Sequence, residues 1–189
     1  MKTLASILWR RLDVSGHEYA ELCAKPHGWL LVGIALFEHE KHPTRLEYEV
    51  HCDEAWTTLS ATVRGRVGAR EVDLKIVRHA DGSWELNDQR CVGVSGCIDV
   101  DLNFSPSTNL LPIRRLKLAV GQKADVRAAW LRFPSFALEP LEQSYERAGE
   151  RTFIYESAGG KFVADLEVSE AGLPLRYGNL WTAEAGWSR

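Results

Sequence analysis

Apolar and polar residues alternate with a period of two along most of this chain. The alternation is clearest over residues 45–53 and 71–78, and in the second segment Val72, Leu74 and Ile76 alternate with charged residues. Successive side chains of a β-strand point to opposite faces, so this pattern predicts strands that are buried on one face only. Turn signals separate about a dozen such segments, at the spacing typical of antiparallel sandwiches and barrels.

Two segments depart from this alternation. Residues 29–37 are apolar at almost every position, which predicts a strand covered on both faces, with Gly33 at a bulge or a close approach. Residues 104–121 contain Ser107 and Thr108, either of which can cap a helix, and apolar residues at helical spacing. They predict one short helix that ends at Gly121. The predicted fold class is therefore mainly β, an antiparallel sheet of about a dozen strands with one short helix.

Length and composition favour a single globular domain over residues 1–189. The chain has 189 residues, of which 45% are hydrophobic and 26% are charged, as in ordinary globular proteins. We expect residues 183–189 to form a loose tail. The net charge is -3, and acidic and basic residues are mixed along the sequence. Because a phosphate-reading surface needs clustered Lys and Arg, we expect no nucleic-acid partner.

No segment has the properties of an export signal or a membrane span. The apolar segment 29–37 is far shorter than the roughly 20 residues that a membrane helix needs. Arg10 and Arg11 interrupt the apolar residues at the start of the sequence, and no small-residue cleavage site follows. We therefore expect a cytoplasmic protein that is not integral to a membrane, with its four cysteines reduced and packed as small apolar side chains.

The segment that begins at Asp99 has the strongest polar pattern. Asp99, Asp101 and Asn103 alternate with apolar residues, so they share one face of a predicted strand. Arg114 and Arg115 follow after a proline-containing loop and can form charge-assisted hydrogen bonds to carboxylates. Consecutive side chains on a helix point about 100° apart. We therefore expect one arginine to pair with Asp99 or Asp101 and the other to face the rim of a binding site.

Three interpretations of this segment remain open. It can bind a ligand, it can supply an Asp99/Asp101 acid–base pair to an enzyme acting on a sugar- or carboxylate-containing substrate, or it can tie strand to helix in an interaction domain. No nucleophile elbow, phosphate-binding glycine loop or metalloprotease histidine spacing occurs in the sequence. An Asp-x-Asp pair can hold a divalent cation, but no His or Glu ligand accompanies it, so we expect no metal and no cofactor.

Aromatic residues are frequent, with seven Trp and five Tyr. Several of them lie in the predicted strands of the last third of the chain, namely Trp130, Tyr145, Tyr155, Tyr177 and Trp181. Most are expected to pack in the core, and some to line a concave surface, because Tyr and Trp combine an apolar body with a polar tip.

Residues 99–116 resemble the core signature of a bacterial family described as "putative glycolipid-binding". The shared pattern is Asp-x-Asp-Leu, then Pro-x-Thr-Asn, then Pro-Ile-Arg-Arg-Leu. The resemblance covers nearly the whole chain. Further matching positions are Trp9-Arg-Arg-Leu-Asp, Tyr48-x-Val-x-Cys-Asp, Trp84, Gln143-Ser-Tyr145, and Gly172 ahead of Tyr177.

This resemblance implies a sheet curled into a roll or half-barrel, similar in outline to bacterial lipoprotein carriers that take acyl chains on their concave side. It implies a lipid or glycolipid ligand and defines no catalytic residues. The carriers are exported and this chain shows no export signal, so lipoprotein transport between membranes is not implied. The expected ligand contacts are Asp99, Asp101, Asn103, Asn109, Arg114, Arg115, Trp130, Gln143, Tyr145 and Tyr155.

Overall fold

The computed structural model describes residues 2–188, and most of them lie in β-strands. Fifteen strands are present in this part of the chain, against about a dozen predicted. In chain order they are β1 Lys2–Arg11, β2 Gly16–Lys25, β3 Gly28–His39, β4 His42–Cys52, β5 Thr58–Val67, β6 Arg70–Arg78, β7 Trp84–Leu86, β8 Gln89–Arg90, β9 Asp99–Leu102, β10 Lys123–Arg132, β11 Ala137–Arg147, β12 Thr152–Ser157, β13 Phe162–Val168, β14 Pro174–Tyr177 and β15 Trp181–Ser188.

All fifteen strands belong to one sheet, whose order is β8-β7-β6-β5-β4-β3-β2-β1-β15-β14-β13-β12-β11-β10-β9. Every pairing is antiparallel except that of β9 with β10. The sheet curls and is not closed into a barrel. Its edge strand β9 approaches β5, where the Thr58 hydroxyl accepts a hydrogen bond from Val100 N at 3.1 Å. The predicted curled antiparallel sheet is confirmed.

Residues 183–188 form most of β15 and do not form a loose tail. They pair with β1 in the middle of the sheet, with Ala183 opposite Trp9 and Trp187 opposite Ser6. The prediction of a tail is therefore wrong for these residues, and Arg189 lies outside the described residues. The hydrophobic pattern did not reveal this strand because residues 184–188 are exposed and main-chain hydrogen bonds hold them in place.

Residues 2–188 contain one α-helix, α1 (Leu110–Leu116), which follows a 3₁₀ turn at Ser107–Asn109 and packs its apolar residues into the inside of the roll. Leu110 and Leu111 are at most 1% exposed, so the chain itself fills much of the concave side. The helix ends where Lys117 adopts a left-handed conformation with φ 49°, a role usually taken by glycine. The prediction that Gly121 ends the helix is wrong.

Gly33 marks a close approach, one of the two predicted alternatives. The pairing of β3 with β2 and β4 runs through Gly33 without a register shift. A Cβ atom added at Gly33 would lie 2.4 Å from Oη of Tyr48. Only glycine therefore leaves room for the Tyr48 hydroxyl to cross β3.

The remaining predictions about the chain concern cysteines and membrane spans. All four cysteines are free thiols, three of them buried and Cys91 half-buried. Within residues 2–188 we find no helix with the length and hydropathy that a membrane crossing requires.

Candidate functional site

Asp99 and Arg115 form a buried ion pair between β9 and α1. Arg115 donates from Nε to Oδ1 at 3.1 Å and from Nη2 to Oδ2 at 2.5 Å. Burial raises the pKa of the Asp99 carboxyl, while the guanidinium of Arg115 acts in the opposite direction. The expected pairing of one arginine with a strand aspartate is therefore confirmed.

Arg114 points elsewhere, as expected for the neighbouring helix position. Its Cζ atom lies 5.5 Å from the ring centroid of Trp56, in the range of a cation–π interaction. No ion pair or hydrogen bond of the Arg114 guanidinium occurs among residues 2–188. Its guanidinium therefore keeps its hydrogen-bond donors available at the edge of a pocket.

This pocket, which we call the end pocket, opens at the end of the roll where β3 begins and encloses about 820 Å³. Its size lies within the usual range for small-molecule sites. The walls come from β3, the β4–β5 loop, the end of α1, the β11–β12 turn and the β13–β14 turn. The residues that line it are Trp29, Trp56, Ile113, Arg114, Lys117, Leu118, Arg147, Glu150, Arg151, Phe153, Val168, Ser169, Glu170 and Gly172.

A tight turn positions the aromatic wall of the end pocket. Trp56 N donates to Asp53 O at 3.1 Å, and Asp53 Oδ1 accepts from Thr57 N at 2.8 Å. This turn holds Trp56 at φ 68°, a left-handed conformation that is unfavourable for a bulky side chain and common at binding sites. Trp56 stacks on Trp29 with ring centroids 4.6 Å apart and planes 9° apart.

Two further residues, Arg147 and Gly172, shape the part of the pocket wall formed by the turns. Arg147 donates to the carbonyl of Leu118 at 2.8 Å and to that of Glu150 at 2.5 Å, so it joins the segment after α1 to the β11–β12 turn. Gly172 has φ +93°, and a Cβ atom there would lie 3.2 Å from Cδ of Arg114. The glycine therefore lets the stem of Arg114 run past the β13–β14 turn into the pocket.

The end pocket is locally positive although the chain is negative. It is lined by four basic and two acidic side chains, whereas the whole chain has a net charge of -3. Within the described part of the chain, no ion pair includes Arg114, Lys117 or Arg151. A concave site with an excess of one charge concentrates ligands of the opposite charge.

Asp101 lies in a separate polar network beside the end pocket. Gln143 Nε2 donates to Asp101 Oδ2 at 2.6 Å and to Tyr155 Oη at 2.9 Å. Burial raises the pKa of Asp101 to about 6, against the hydrogen bond from Gln143. Tyr145 donates to Asn109 Oδ1 at 2.8 Å. The Tyr145 and Tyr155 rings are in edge contact with centroids 5.1 Å apart, and both pack in one apolar cluster with Ile113, Phe153 and Val168 of the pocket lining. We call these side chains the layer beside the pocket.

The two remaining expected contacts lie away from this layer. Asn103 is exposed and accepts a hydrogen bond from Phe133 N at 3.0 Å. Trp130 is half-buried, with the guanidinium of Arg132 5.7 Å from its ring. Of the ten residues expected to contact a ligand, Arg114 is the one that lines the end pocket within residues 2–188.

A second buried cluster was not predicted from the sequence. Glu18 is 1% exposed, and its Oε1 accepts from Tyr48 at 2.6 Å and from Ser105 at 2.5 Å. Tyr48 also hydrogen-bonds Ser107 at 2.7 Å. The helix begins after Asn109 without a side-chain cap hydrogen bond, so the predicted cap at Ser107 or Thr108 is wrong. Burial raises the pKa of Glu18 to about 8. The cluster ties β2 and β4 to the segment that leads into α1.

Sequence signals for the missed residues exist but are indirect. Glu18 falls on the same alternating face as Ala20 and Leu22, which indicates a buried carboxyl. Trp56 lies in a short polar turn between two strands, an unusual place for a large ring. Nothing local to Lys117 or Arg151 indicates that they line the same pocket.

The chemistry of the end pocket suits binding. It offers aromatic rings, an apolar wall and guanidinium donors. Asp99 and Asp101, the pair considered for acid–base catalysis, do not line it and are bonded to Arg115 and Gln143. Within residues 2–188, no group of three or more His, Cys, Asp or Glu side chains is arranged to hold a metal ion.

Comparison with solved structures identifies proteins of similar fold. A DUF1089 family protein from Pseudomonas aeruginosa, known from a crystal structure at 1.80 Å resolution, is 29% identical, with a TM-score of 0.75 over 87% of this chain and 91% of that chain. A β-barrel-like protein of the domain of unknown function DUF1849 from Brucella abortus is 7% identical, with a TM-score of 0.52 over 100% of this chain and 98% of that chain. The second likeness shows the fold alone.

Comparison with protein families covers nearly the whole chain. No curated protein matches it significantly. The model of the family described as "Putative glycolipid-binding" matches residues 6–183. This range includes the central motif, both arginines of α1 and every residue that lines the end pocket. The chain therefore belongs to the family described as "Putative glycolipid-binding".

Proposed function

We propose that this protein binds a glycolipid-like amphiphile in the end pocket. The observation that carries the proposal is the composition of this pocket, in which a stacked tryptophan pair and a guanidinium without an ion-pair partner adjoin an apolar wall. Sugar-sized rings pack on aromatic faces, and hydroxyl or acidic groups accept hydrogen bonds from arginine. The family name points to the same class of ligand.

The apolar part of the ligand lies along the wall formed by the apolar residues that line the end pocket. Ile113, Leu118, Phe153 and Val168 contribute to this wall and are each at most 9% exposed. The centre of the roll is filled by α1 and its neighbours, so the tail follows the end pocket and does not enter a central hollow. Each methylene group that this wall covers contributes about 0.8 kcal/mol.

A chain-length series tests this proposal. Hexyl, octyl and decyl glucoside, each below its critical micelle concentration, are titrated into the full chain by isothermal titration calorimetry. We expect binding that tightens by up to about fourfold for each added methylene group that is buried. Equal affinities across the series, or no binding by any member, would contradict the proposal.

The tryptophan wall is tested with a matched pair of variants. Trp29→Ala removes one ring of the stacked pair and is expected to weaken octyl glucoside binding by about tenfold. Trp187→Ala removes a ring that is 48% exposed on β15 and is outside the end pocket. This control should bind like the unchanged protein. An equal loss in both variants would place the binding elsewhere.

A further inference from the structure

Three basic residues of the end pocket indicate the chemistry of the polar head of the ligand. Arg114 lies in the last turn of α1, Lys117 lies just after the helix, and Arg151 is the last residue of the β11–β12 turn. These three cations come from two separate parts of the chain and meet at one pocket. Most of the other arginines among residues 2–188 form ion pairs with acidic residues, such as Arg64 with Asp73 at 3.1 Å.

The fourth cation of the pocket has a structural task. Arg147 uses its guanidinium on the main-chain carbonyls of Leu118, Gly149 and Glu150. These bonds fix the shape of the wall and use each of the three guanidinium nitrogens once, while the positive charge remains. Arg147 therefore holds the pocket wall, whereas Arg114, Lys117 and Arg151 can donate hydrogen bonds to a ligand.

The acidic residues of the pocket do not cancel these cations. Glu150 and Glu170 are both exposed, and neither takes part in an ion pair among residues 2–188. Two carboxylates against four cations leave an excess of positive charge. At the rim, the carboxylates can accept hydrogen bonds from the hydroxyl groups of a sugar ring.

Resting on the proposed function, we infer that the polar head of the ligand carries a phosphate group attached to a sugar-sized ring. A phosphate ester keeps at least one full negative charge and two or three free acceptor oxygens, which suits a pocket with an excess of cations better than an uncharged sugar does. Arginine binds phosphate with two parallel hydrogen bonds, and lysine adds a point charge. The ring packs near the tryptophan pair, and the phosphate lies between Arg114 and Lys117.

The same phosphate chemistry occurs in a lipid head group and in a free sugar phosphate. Three probes separate these sources in calorimetric titrations of the full chain. They are dihexanoyl phosphatidylinositol below its critical micelle concentration, glycerophosphoinositol, and uncharged octyl glucoside. The first has ring, phosphate and tails, the second has ring and phosphate, and the third has ring and tail only.

We expect dihexanoyl phosphatidylinositol to bind about tenfold or more tightly than octyl glucoside, because charged hydrogen bonds are among the stronger polar contacts. Its affinity should fall as NaCl is raised from 20 to 500 mM, since salt screens exposed charges. Equal affinity of these two probes would overturn the phosphate inference while leaving the proposed function intact. Binding of glycerophosphoinositol as tight as that of the lipid would support the phosphate and contradict the amphiphile.

Glutamine substitutions test whether Arg114 and Lys117 bind the phosphate group. Arg114→Gln and Lys117→Gln should each weaken dihexanoyl phosphatidylinositol about tenfold. Lys117→Gln should leave octyl glucoside within about twofold, whereas Arg114→Gln also removes donors to the sugar and should weaken octyl glucoside less than it weakens the phosphate probe. Arg176→Gln, at an exposed arginine outside the end pocket, should change neither. If the two pocket variants bind the phosphate probe like the unchanged protein, the inference is wrong. Unchanged thermal unfolding of the variants verifies that each remains folded.

Discussion

Arg115 and Asp99 are joined by two parallel hydrogen bonds, and this pair fixes α1 against the edge strand β9. The side chains are 18% and 3% exposed, so the charges are largely shielded from water. Arg114, one residue earlier, has its guanidinium over Trp56. Two adjacent arginines of one motif therefore serve different purposes, one in the scaffold and one in the end pocket.

The first prediction compares alanine variants of these two arginines. Arg115→Ala leaves Asp99 buried without a counter-ion and should lower the free energy of unfolding by about 3–5 kcal/mol. Arg114→Ala removes a cation–π contact at a partly open site and should cost under about 1 kcal/mol. Urea unfolding followed by circular dichroism measures both. Equal urea midpoints for the two variants would contradict the division of roles.

The second prediction concerns the buried carboxyl of Glu18. Its pKa is raised from 4.5 to about 8, so between these values the folded protein holds a proton that the unfolded chain has released. The stabilising contribution is therefore complete below about pH 4.5 and is lost as pH rises to about 8. The free energy of unfolding should fall by up to about 1.4 kcal/mol per pH unit in this window.

Glu18→Gln is the matched control for this pH dependence. Glutamine keeps an acceptor oxygen for Tyr48 and Ser105 and does not titrate. The groups that face Glu18 are these two hydroxyls and Arg11, which lies close enough to favour the charged form. Urea unfolding between pH 6 and pH 8.5 should show a shallower slope for the variant. Parallel slopes would mean that Glu18 is already ionised in the folded protein.

The third prediction uses two strand glycines. Gly33→Ala places a Cβ atom 2.4 Å from the Tyr48 hydroxyl, whereas at Gly186 the nearest atom would be 3.6 Å away. Gly33→Ala should destabilise the protein by about 1–3 kcal/mol through overpacking. Gly186→Ala should be neutral or slightly stabilising, because alanine restricts the unfolded chain more than glycine does. Thermal unfolding of both variants gives the comparison, and equal melting temperatures would refute it.

The fourth prediction concerns the C-terminal strand. Removing residues 183–189 deletes most of the pairing between β15 and β1, including Ala185 opposite Leu8 and Gly186 opposite Ile7. Because this pairing lies in the middle of the sheet, the truncated chain should lose its cooperative thermal transition. The full chain with Trp187→Thr keeps the main-chain hydrogen bonds and should remain folded. A truncated chain that melts like the parent would show that β15 is dispensable.

The sequence predicted those features that depend on neighbouring residues. Alternation over 71–78 located β6, which spans Arg70–Arg78, and the 100° step between helix positions anticipated the separate directions of Arg114 and Arg115. Residues 183–188 were missed because main-chain pairing with β1 determines their conformation and their side chains carry no burial pattern. Trp56 was missed as a site residue because its position beside Arg114 depends on the packing of α1, which no local pattern encodes.

The pairing of β1 with β15 has a consequence for the order in which the sheet assembles. If the ends of this chain were joined by a short linker and the chain were opened between β8 and β9, strand order along the sequence would equal strand order along the sheet. Every strand would then pair with its immediate neighbour in sequence, and folding is faster when contacts are local. In the natural chain, the two strands of the β1–β15 pair lie further apart in sequence than the strands of any other pair in the sheet. We therefore expect two half-sheets to form early and to join last, with the circular permutant refolding faster in stopped-flow experiments.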